Sequence, residues 1–104
     1  MALTQIDDRG LKTPIDLLDD EKIRLGTGND LELYHSGSHS YIKDTGTGSL
    51  VINSNSFYLN NAADNETLIK ATEDSNVELY YNNIKTFETI SEGVRVQGDE
   101  GTSA

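Results

Sequence analysis

The strongest constraint on this chain is the alternation of apolar and polar side chains within short segments. In LELYH (31–35) and VELYY (77–81), Leu31, Leu33, Val77 and Leu79 occupy every second position. Successive side chains of a β-strand point to opposite faces, so a period of two is typical of a strand that is buried on one side. Both segments are therefore predicted to be strands with one apolar face.

Turn-forming sequences separate these strands. Turn residues recur in GTGND (26–30), SGS (36–38), TGTG (45–48), NSN (53–55), AADN (62–65), NN (82–83) and SEG (91–93). The Gly and Asn residues among them tolerate the positive φ of tight hairpins. Turns spaced by about 8–12 residues predict an all-β chain of short antiparallel strands and hairpins. Thr13-Pro14 followed by Asp16 could instead begin a two-turn helix. Proline also suits an extended lead-in strand, which is the preferred interpretation.

Composition limits how large a core the chain can form. Apolar residues make up 35% of the sequence, with no cysteine or tryptophan and a net charge of −10, against roughly 45–50% apolar residues in an ordinary domain. Such a chain either stays disordered or buries its few apolar residues against copies of itself, and the alternation favours the second outcome. The 18 acidic and 8 basic residues argue against nucleic acid or an anionic membrane as a partner. No segment is apolar enough for a signal peptide or membrane span.

An internal repeat supports association between chains. IRLGTGNDLELY (23–34) aligns without a gap with IKATEDSNVELY (69–80), an offset of 46, and the same offset matches Tyr41 with Phe87. A repeat of about 45 residues predicts a fibrous or solenoid-like fold, in which at least about three units are needed to bury each other's faces. Two units therefore need neighbouring chains. The predicted organisation is a lead-in segment at 1–20, a first repeat at 21–66, a shorter second repeat at 67–98 and a flexible tail at 99–104.

The two histidines, His35 and His39, are the first candidates for a metal site. Their four-residue spacing would suit two ligands on one helix face. A two-residue hairpin turn after His35 would instead pair His35 with Ser38 and Tyr34 with His39, which places the two imidazoles on opposite faces of the ribbon. No metal site within one chain is predicted. Three copies of an inward histidine on a threefold axis remain an open alternative.

No catalytic motif is present. The sequence contains no G-x-S-x-G nucleophile elbow, and the adjacent acids at 7–8 and 19–21 are typical of a solvated surface. GTGND (26–30) and DNE (64–66) are rich in oxygen ligands but do not match the EF-hand loop, so they are interpreted first as turns. We therefore predict no enzyme activity and no catalytic, metal-binding or cofactor-binding residues.

Aromatic and aliphatic residues on the predicted strands supply the candidate contact residues. Tyr58 and Tyr81 each adjoin another aromatic residue, and alternation must turn one of each pair outward. Because sugar rings can stack on tyrosine, these two are the candidate glycan contacts. The residues predicted to form the core between subunits are Leu31, Leu33, Tyr41, Val77, Leu79 and Phe87.

Several phrases of the sequence occur together and in a characteristic order. LGTGNDLELYH (25–35), YIKDTGTG (41–48) and ELYY (78–81) followed by KTFET (85–89) resemble repeated segments of large structural and tail-fibre-like proteins of marine bacteriophages, especially those that infect cyanobacteria. The resemblance covers residues 8–99. It implies a β-structured component of a virion surface or tail fibre, forming an intertwined or side-by-side homotrimer. It provides no catalytic motif.

The residues and the resemblance lead to one expectation of function. The chain is predicted to be a non-enzymatic segment of a trimeric tail or surface fibre, made in the host cytoplasm and carried on the virion, where it contributes to particle assembly and host attachment. Its expected partners are copies of itself, other virion proteins and a host-surface glycan. The alternatives are a capsid decoration protein or a carbohydrate-binding module at the virion surface. A glycan-degrading enzyme is more distant, since it would need two carboxylates about 5–9 Å apart across a groove.

Overall fold

Segments of alternating sequence become strands in the structure. The computed structural model describes residue 6 and residues 9–98. Within them are eight strands and no helix: β1 Ile23–Leu25, β2 Leu31–His35, β3 Ser40–Asp44, β4 Ser56–Asn60, β5 Thr67–Thr72, β6 Val77–Tyr81, β7 Ile84–Ile90 and β8 Gly93–Val96. The all-β prediction is confirmed, and the segment after Pro14 is not helical. The predicted tail at 99–104 and part of the lead-in segment at 1–20 lie outside the described residues.

The strands form two antiparallel sheets in which each strand pairs with its neighbour in sequence. One sheet has the order β1-β2-β3, and the other has the order β4-β5-β6-β7-β8. The chain divides into two units, Met1–Val51 and Ile52–Ala104, with one sheet in each. Strand β4 falls within the range 21–66 that the sequence assigns to the first repeat, and it pairs with β5 in the second unit.

The first hairpin, between β2 and β3, has a longer loop than predicted. His35 pairs with Ser40, whereas the predicted two-residue turn would pair it with Ser38, so that prediction is wrong. The Ser36 amide donates to the His39 carbonyl at 2.8 Å, and the Ser36 hydroxyl accepts the His39 amide at 3.1 Å. A side-chain hydroxyl that satisfies a loop amide stabilises this four-residue loop in place of the tighter turn.

The second hairpin, between β6 and β7, has a two-residue turn. Tyr81 pairs with Ile84, and Asn82 and Asn83 have positive φ values of 49° and 66°, as the tight hairpin turn requires. Beyond the turn the register shifts, because Leu79 pairs with Phe87 whereas Tyr80 pairs with Lys85. The intervening Thr86 is the extra residue of a β-bulge, which preserves the apolar alternation on either side of it.

Neither sheet encloses an apolar core. Among the described residues no hydrophobic side chain is buried, and the buried residues are Glu78 and Glu88. A sheet normally buries its apolar face against a second layer of structure. Within each sheet the apolar side chains are instead half-buried or exposed, and none is fully buried.

Candidate functional site

One face of the five-stranded sheet is apolar, and we call it the apolar face of that sheet. Directly paired residues share a face, so the strand registers define rows that run across all five strands. The two central rows are Leu59–Ile69–Leu79–Phe87–Val96 and Phe57–Ala71–Val77–Thr89–Val94. Leu79, on the middle strand, is 38% exposed, while its row neighbours Ile69 and Phe87 are half-buried. This face has the composition of an interior but is open to solvent.

The opposite face of the five-stranded sheet is charged. Its central row is Tyr58–Lys70–Glu78–Glu88–Arg95. Glu78 and Glu88 lie directly opposite each other, an arrangement that is destabilising unless cations neutralise it. Lys85 bridges both carboxylates, with its Nζ 3.5 Å from Glu78 and 3.1 Å from Glu88. Arg95 adds a contact of 2.9 Å to Glu88.

Two neutral side chains complete the hydrogen bonding of this carboxylate pair. The Asn76 amide nitrogen donates to both Glu78 and Glu88 at 3.0 Å, and the Tyr80 hydroxyl donates to Glu78 at 2.5 Å. These contacts give each buried carboxylate both a donor and a cation, which is the condition under which buried charge is tolerated. The cluster of Asn76, Glu78, Tyr80, Lys85 and Glu88 is therefore a satisfied structural network.

The pKa directions within this network have the same cause. The Tyr80 hydrogen bond lowers the pKa of Glu78, and the Lys85 hydrogen bond lowers the pKa of Glu88. In return, Glu88 raises the pKa of Lys85, and the bond to Glu78 raises the pKa of Tyr80 to about 12. All four shifts favour the protonation states present at neutral pH, so the cluster is held in its paired form rather than prepared for proton transfer.

The three-stranded sheet also has one apolar face and one charged face. Its apolar face carries the row Ile23–Leu33–Ile42 together with Leu25 and Leu31, and Asp44, which pairs with Leu31, lies at its edge. On the opposite face, Glu32 receives Lys22 and Arg24, each at 3.2 Å. The Lys22 hydrogen bond lowers the pKa of Glu32. Each sheet therefore has an apolar face and a charged face.

Aromatic side chains stack on the charged face of the three-stranded sheet. Tyr34 pairs with Tyr41, where the predicted turn would have paired it with His39. The two tyrosine rings are 4.9 Å apart and nearly parallel, and Lys22 lies 4.4 Å from the Tyr34 ring. The His39 ring is 6.3 Å from Tyr41 on the same side. These are cross-strand packing and cation–π contacts that support the sheet.

The two histidines lie on different faces, although by a different pairing from the predicted one. His35 shares a face with Leu33 and contacts the Ser40 hydroxyl through Nδ1 at 2.9 Å. His39 lies beside Tyr41 on the charged face. No group of three or more His, Cys, Asp or Glu side chains in the described part of the chain is arranged to hold a metal ion.

Five of the six residues predicted to form the subunit core lie on apolar faces. They are Leu31, Leu33, Val77, Leu79 and Phe87. Tyr41 lies on the charged face instead, because the strand registers place Ile42, and not Tyr41, at the position of Phe87. The longer first loop and the bulge at Thr86 make the offset of 46 fail beyond the hairpins.

The two candidate glycan contacts do not form a shared platform. Tyr58 lies on the charged face, where its ring is 5.4 Å from the Lys70 ammonium group. Tyr81 shares the apolar face with Leu79 and is 75% exposed at the end of the second hairpin. Because alternation places them on opposite sides of one sheet, a single ligand cannot stack on both.

Side-chain contacts hold the oxygen-rich turns GTGND (26–30) and DNE (64–66) in the structure. The Asp30 carboxylate fills the space that a side chain would occupy at Gly26 and Gly46, while Asp44 accepts the Gly46 amide at 3.2 Å. In the second turn, Asn60 donates to Asp64 at 2.8 Å. These contacts close the turns.

No helix in the described residues is long and apolar enough to cross a membrane.

Sequence reasoning missed the carboxylate network on the five-stranded sheet. Its members were visible as the polar positions of alternating strands, but their contacts depend on which residues are opposite each other. The register of Glu78 with Glu88 depends on the bulge at Thr86, which no turn motif announces. The pairing of Glu78 with Glu88 can be predicted only when the hairpin turn at 82–83 and the bulge at Thr86 are both known.

Comparison with protein-family models, with curated proteins and with solved structures finds no match.

Proposed function

We propose that this chain is a non-enzymatic structural segment of a bacteriophage tail fibre or surface fibre. In this proposal it assembles as a homotrimer on the virion and contributes to particle assembly and host attachment. Its partners are copies of itself and other virion proteins, with a host-surface glycan as the attachment target. The sequence resemblance supports the viral setting, and the uncovered apolar faces support the structural role.

The observation that carries the proposal is the absence of a buried hydrophobic side chain among residue 6 and residues 9–98. Fully burying one leucine or phenylalanine side chain contributes about 1.5–3 kcal/mol, and folded domains depend on many such contributions to offset chain entropy. A chain that lacks these contributions needs to bury its apolar side chains against another molecule. Assembly from identical subunits provides it, as in obligate oligomers without a stable monomer.

The repeated unit is supported by the strand registers. In the first sheet Ile23 pairs with Leu33, and at an offset of 46 Ile69 pairs with Leu79. The charged faces agree in part, because Glu32 and Glu78 are equivalent at that offset and each pairs with a cation, although the cations themselves come from different positions. Repetition of one two-faced unit along a chain is the pattern of an extended shaft.

The alternative of a carbohydrate-binding module is less favoured. It relied on Tyr58 and Tyr81 as one exposed aromatic surface, and these residues lie on opposite faces. A glycan-degrading enzyme is also disfavoured, since the carboxylates of Glu78 and Glu88 are both engaged with Lys85 and neither is presented to a groove.

The proposal is tested by the solution mass of the purified full chain. Light scattering across a dilution series, with circular dichroism on the same samples, should give three times the chain mass of 11.4 kDa together with a β-rich spectrum. A β-rich spectrum at the mass of a single chain would overturn the structural role, because such a protein would be folded without any second layer.

A further inference from the structure

We propose that another copy of this chain docks on the apolar face of the five-stranded sheet, with the charged face of that sheet left in water. This inference rests on the proposed function and names the surface through which the copies associate. It is a choice between surfaces, since a homotrimer could also form through the sheet edges or the charged faces.

The two faces of the five-stranded sheet differ in composition. The two central rows of the apolar face contain ten residues and no ionisable side chain. The opposite face carries Glu78, Lys85, Glu88 and Arg95, whose side chains already satisfy one another, and Lys70, which lies over the Tyr58 ring. Docking on the charged face would remove water from a satisfied network and gain little. Docking on the apolar face removes only hydrocarbon from water, at about 25 cal/mol per Å².

The net negative charge of the chain favours the apolar face as the contact between two copies. Two copies that each carry a net charge of −10 repel each other when their acidic surfaces approach. Contact through the apolar face turns the ionised groups of the sheet away from the contact. The same face of a second copy is therefore a matching occupant, being apolar, uncharged and built with the same strand spacing. It is also present wherever the chain itself is made.

The area of the apolar face can be compared with the area that a stable interface needs. Five strands about 4.8 Å apart, with about five residues each at about 3.4 Å, give a face of roughly 24 Å by 17 Å, or about 400 Å² in projection. A stable interface of standard size takes about 800 Å² of accessible surface from each partner. The face alone falls short of that area, so a stable assembly needs the whole face, shared between the two other copies of the homotrimer, together with additional contacts. The apolar face of the three-stranded sheet supplies further contact area when it docks in the same way.

Two neighbouring positions provide a matched test. Leu59 lies on the apolar face and is 46% exposed, whereas Tyr58 lies on the charged face and is 49% exposed. The natural sequence contains no cysteine, so Leu59→Cys and Tyr58→Cys each introduce a single thiol on the same strand. In an isolated chain both thiols should react with iodoacetamide at similar rates.

The expected result is that the Leu59→Cys thiol reacts at least about tenfold more slowly than the Tyr58→Cys thiol under native conditions, because a docked face is protected from solvent. Both rates are normalised to those measured in denaturant, and the mass and circular dichroism of each variant confirm that it is folded. If Leu59→Cys misassembles, Val94→Cys, at the other edge of the same face, replaces it. Diluting the sample until the oligomer dissociates should remove the protection.

Each remaining outcome is decisive. Equal rates in a sample that keeps its oligomeric mass would mean that the copies associate through another surface, which overturns this inference and leaves the proposed function standing. Selective protection of Tyr58→Cys would place the contact on the charged face and would also overturn it. Equal rates in a folded protein with the mass of one chain would overturn both proposals.

Discussion

At the scale of single residues, the unusual feature is that the buried positions of the described chain are two glutamates. Glu78 and Glu88 are held side by side by Lys85, Asn76, Tyr80 and Arg95. Removing one member of such a network leaves a desolvated charge without its partner, which costs more than the net value of the lost bond. Individual contacts on the charged face should therefore have measurable effects on stability.

Tyr80→Phe tests the hydroxyl that donates to Glu78. The variant keeps the ring but deprives the carboxylate of its shortest hydrogen bond, so we expect the free energy of unfolding to fall by about 1–2 kcal/mol. Denaturant unfolding at fixed protein concentration measures the change. Tyr58→Phe is the control, since Tyr58 contacts Lys70 through its ring, and it should change stability by no more than about 0.5 kcal/mol. Equal effects of the two variants would argue against the network.

Stability should form a plateau at intermediate pH. The folded pKa values of Glu78 and Glu88 lie below the usual 4.5, so their contribution is complete above about pH 4.5 and is lost as the pH falls through the folded values. The pKa of Tyr80 is raised from 10.0 to about 12 and that of Lys85 lies above 10.5. The contribution of Tyr80 is complete below pH 10 and is lost as the pH rises towards about 12, and that of Lys85 is lost as the pH rises through its raised pKa.

Denaturation midpoints measured from acid to strongly basic pH at one protein concentration check this profile. Glu78→Gln removes one of the titrating groups and should make the decline on the acid side shallower. An unchanged acid limb in that variant would contradict the assigned role of Glu78.

At the scale of strands and turns, alternation predicts much of the fold. The predicted strand segments LELYH and VELYY coincide with β2 and β6, and the two-residue turn at 82–83 is confirmed. Loop length and bulges were not predictable in the same way. They depend on local competition, such as the Ser36 hydroxyl bonding the His39 amide, and on a single unpaired residue at Thr86. Since one residue of slip exchanges the two faces, the bulge at Thr86 decides that Phe87 lies on the apolar face opposite Leu79, whereas the turn at 82–83 alone would pair it with Glu78.

Asn83 provides a test of the second hairpin. It has a φ of 66° and follows Asn82 at 49°, a pair of conformations that β-branched residues strongly disfavour. We expect Asn83→Val to destabilise the protein by about 1–2 kcal/mol and Asn83→Gly to be nearly neutral, because glycine adopts positive φ freely. Thermal unfolding at matched concentration distinguishes them. If valine were tolerated as well as glycine, the turn geometry would be wrong.

At the scale of the whole molecule, the low apolar content and the burial of the described residues both support the proposal that other copies complete the core. The low apolar content predicts burial against copies, and the described residues contain no buried hydrophobic side chain. Which faces remain uncovered is a matter of register, and so became visible only in the structure. The number of copies, the viral setting and the attachment target remain parts of the proposal.

A lysine placed on the apolar face should prevent assembly. Leu79→Lys introduces a charge at the middle of the row shared with Ile69 and Phe87, where a docked copy would desolvate it at a cost of several kcal/mol. We expect sedimentation to show loss of the oligomer at concentrations where the parent protein is assembled. Tyr58→Lys, at an exposed position on the charged face, should assemble normally. Dissociation by both variants would argue against a face-specific contact.

If folding of the chain depends on association with other copies, its unfolding temperature must depend on protein concentration. Circular dichroism melts of the full chain over a hundredfold range of concentration should show the midpoint rising steadily with concentration, because the oligomer unfolds into separate chains. A cooperative transition whose midpoint stays constant over that range, in a sample with the mass of one chain, would contradict the account.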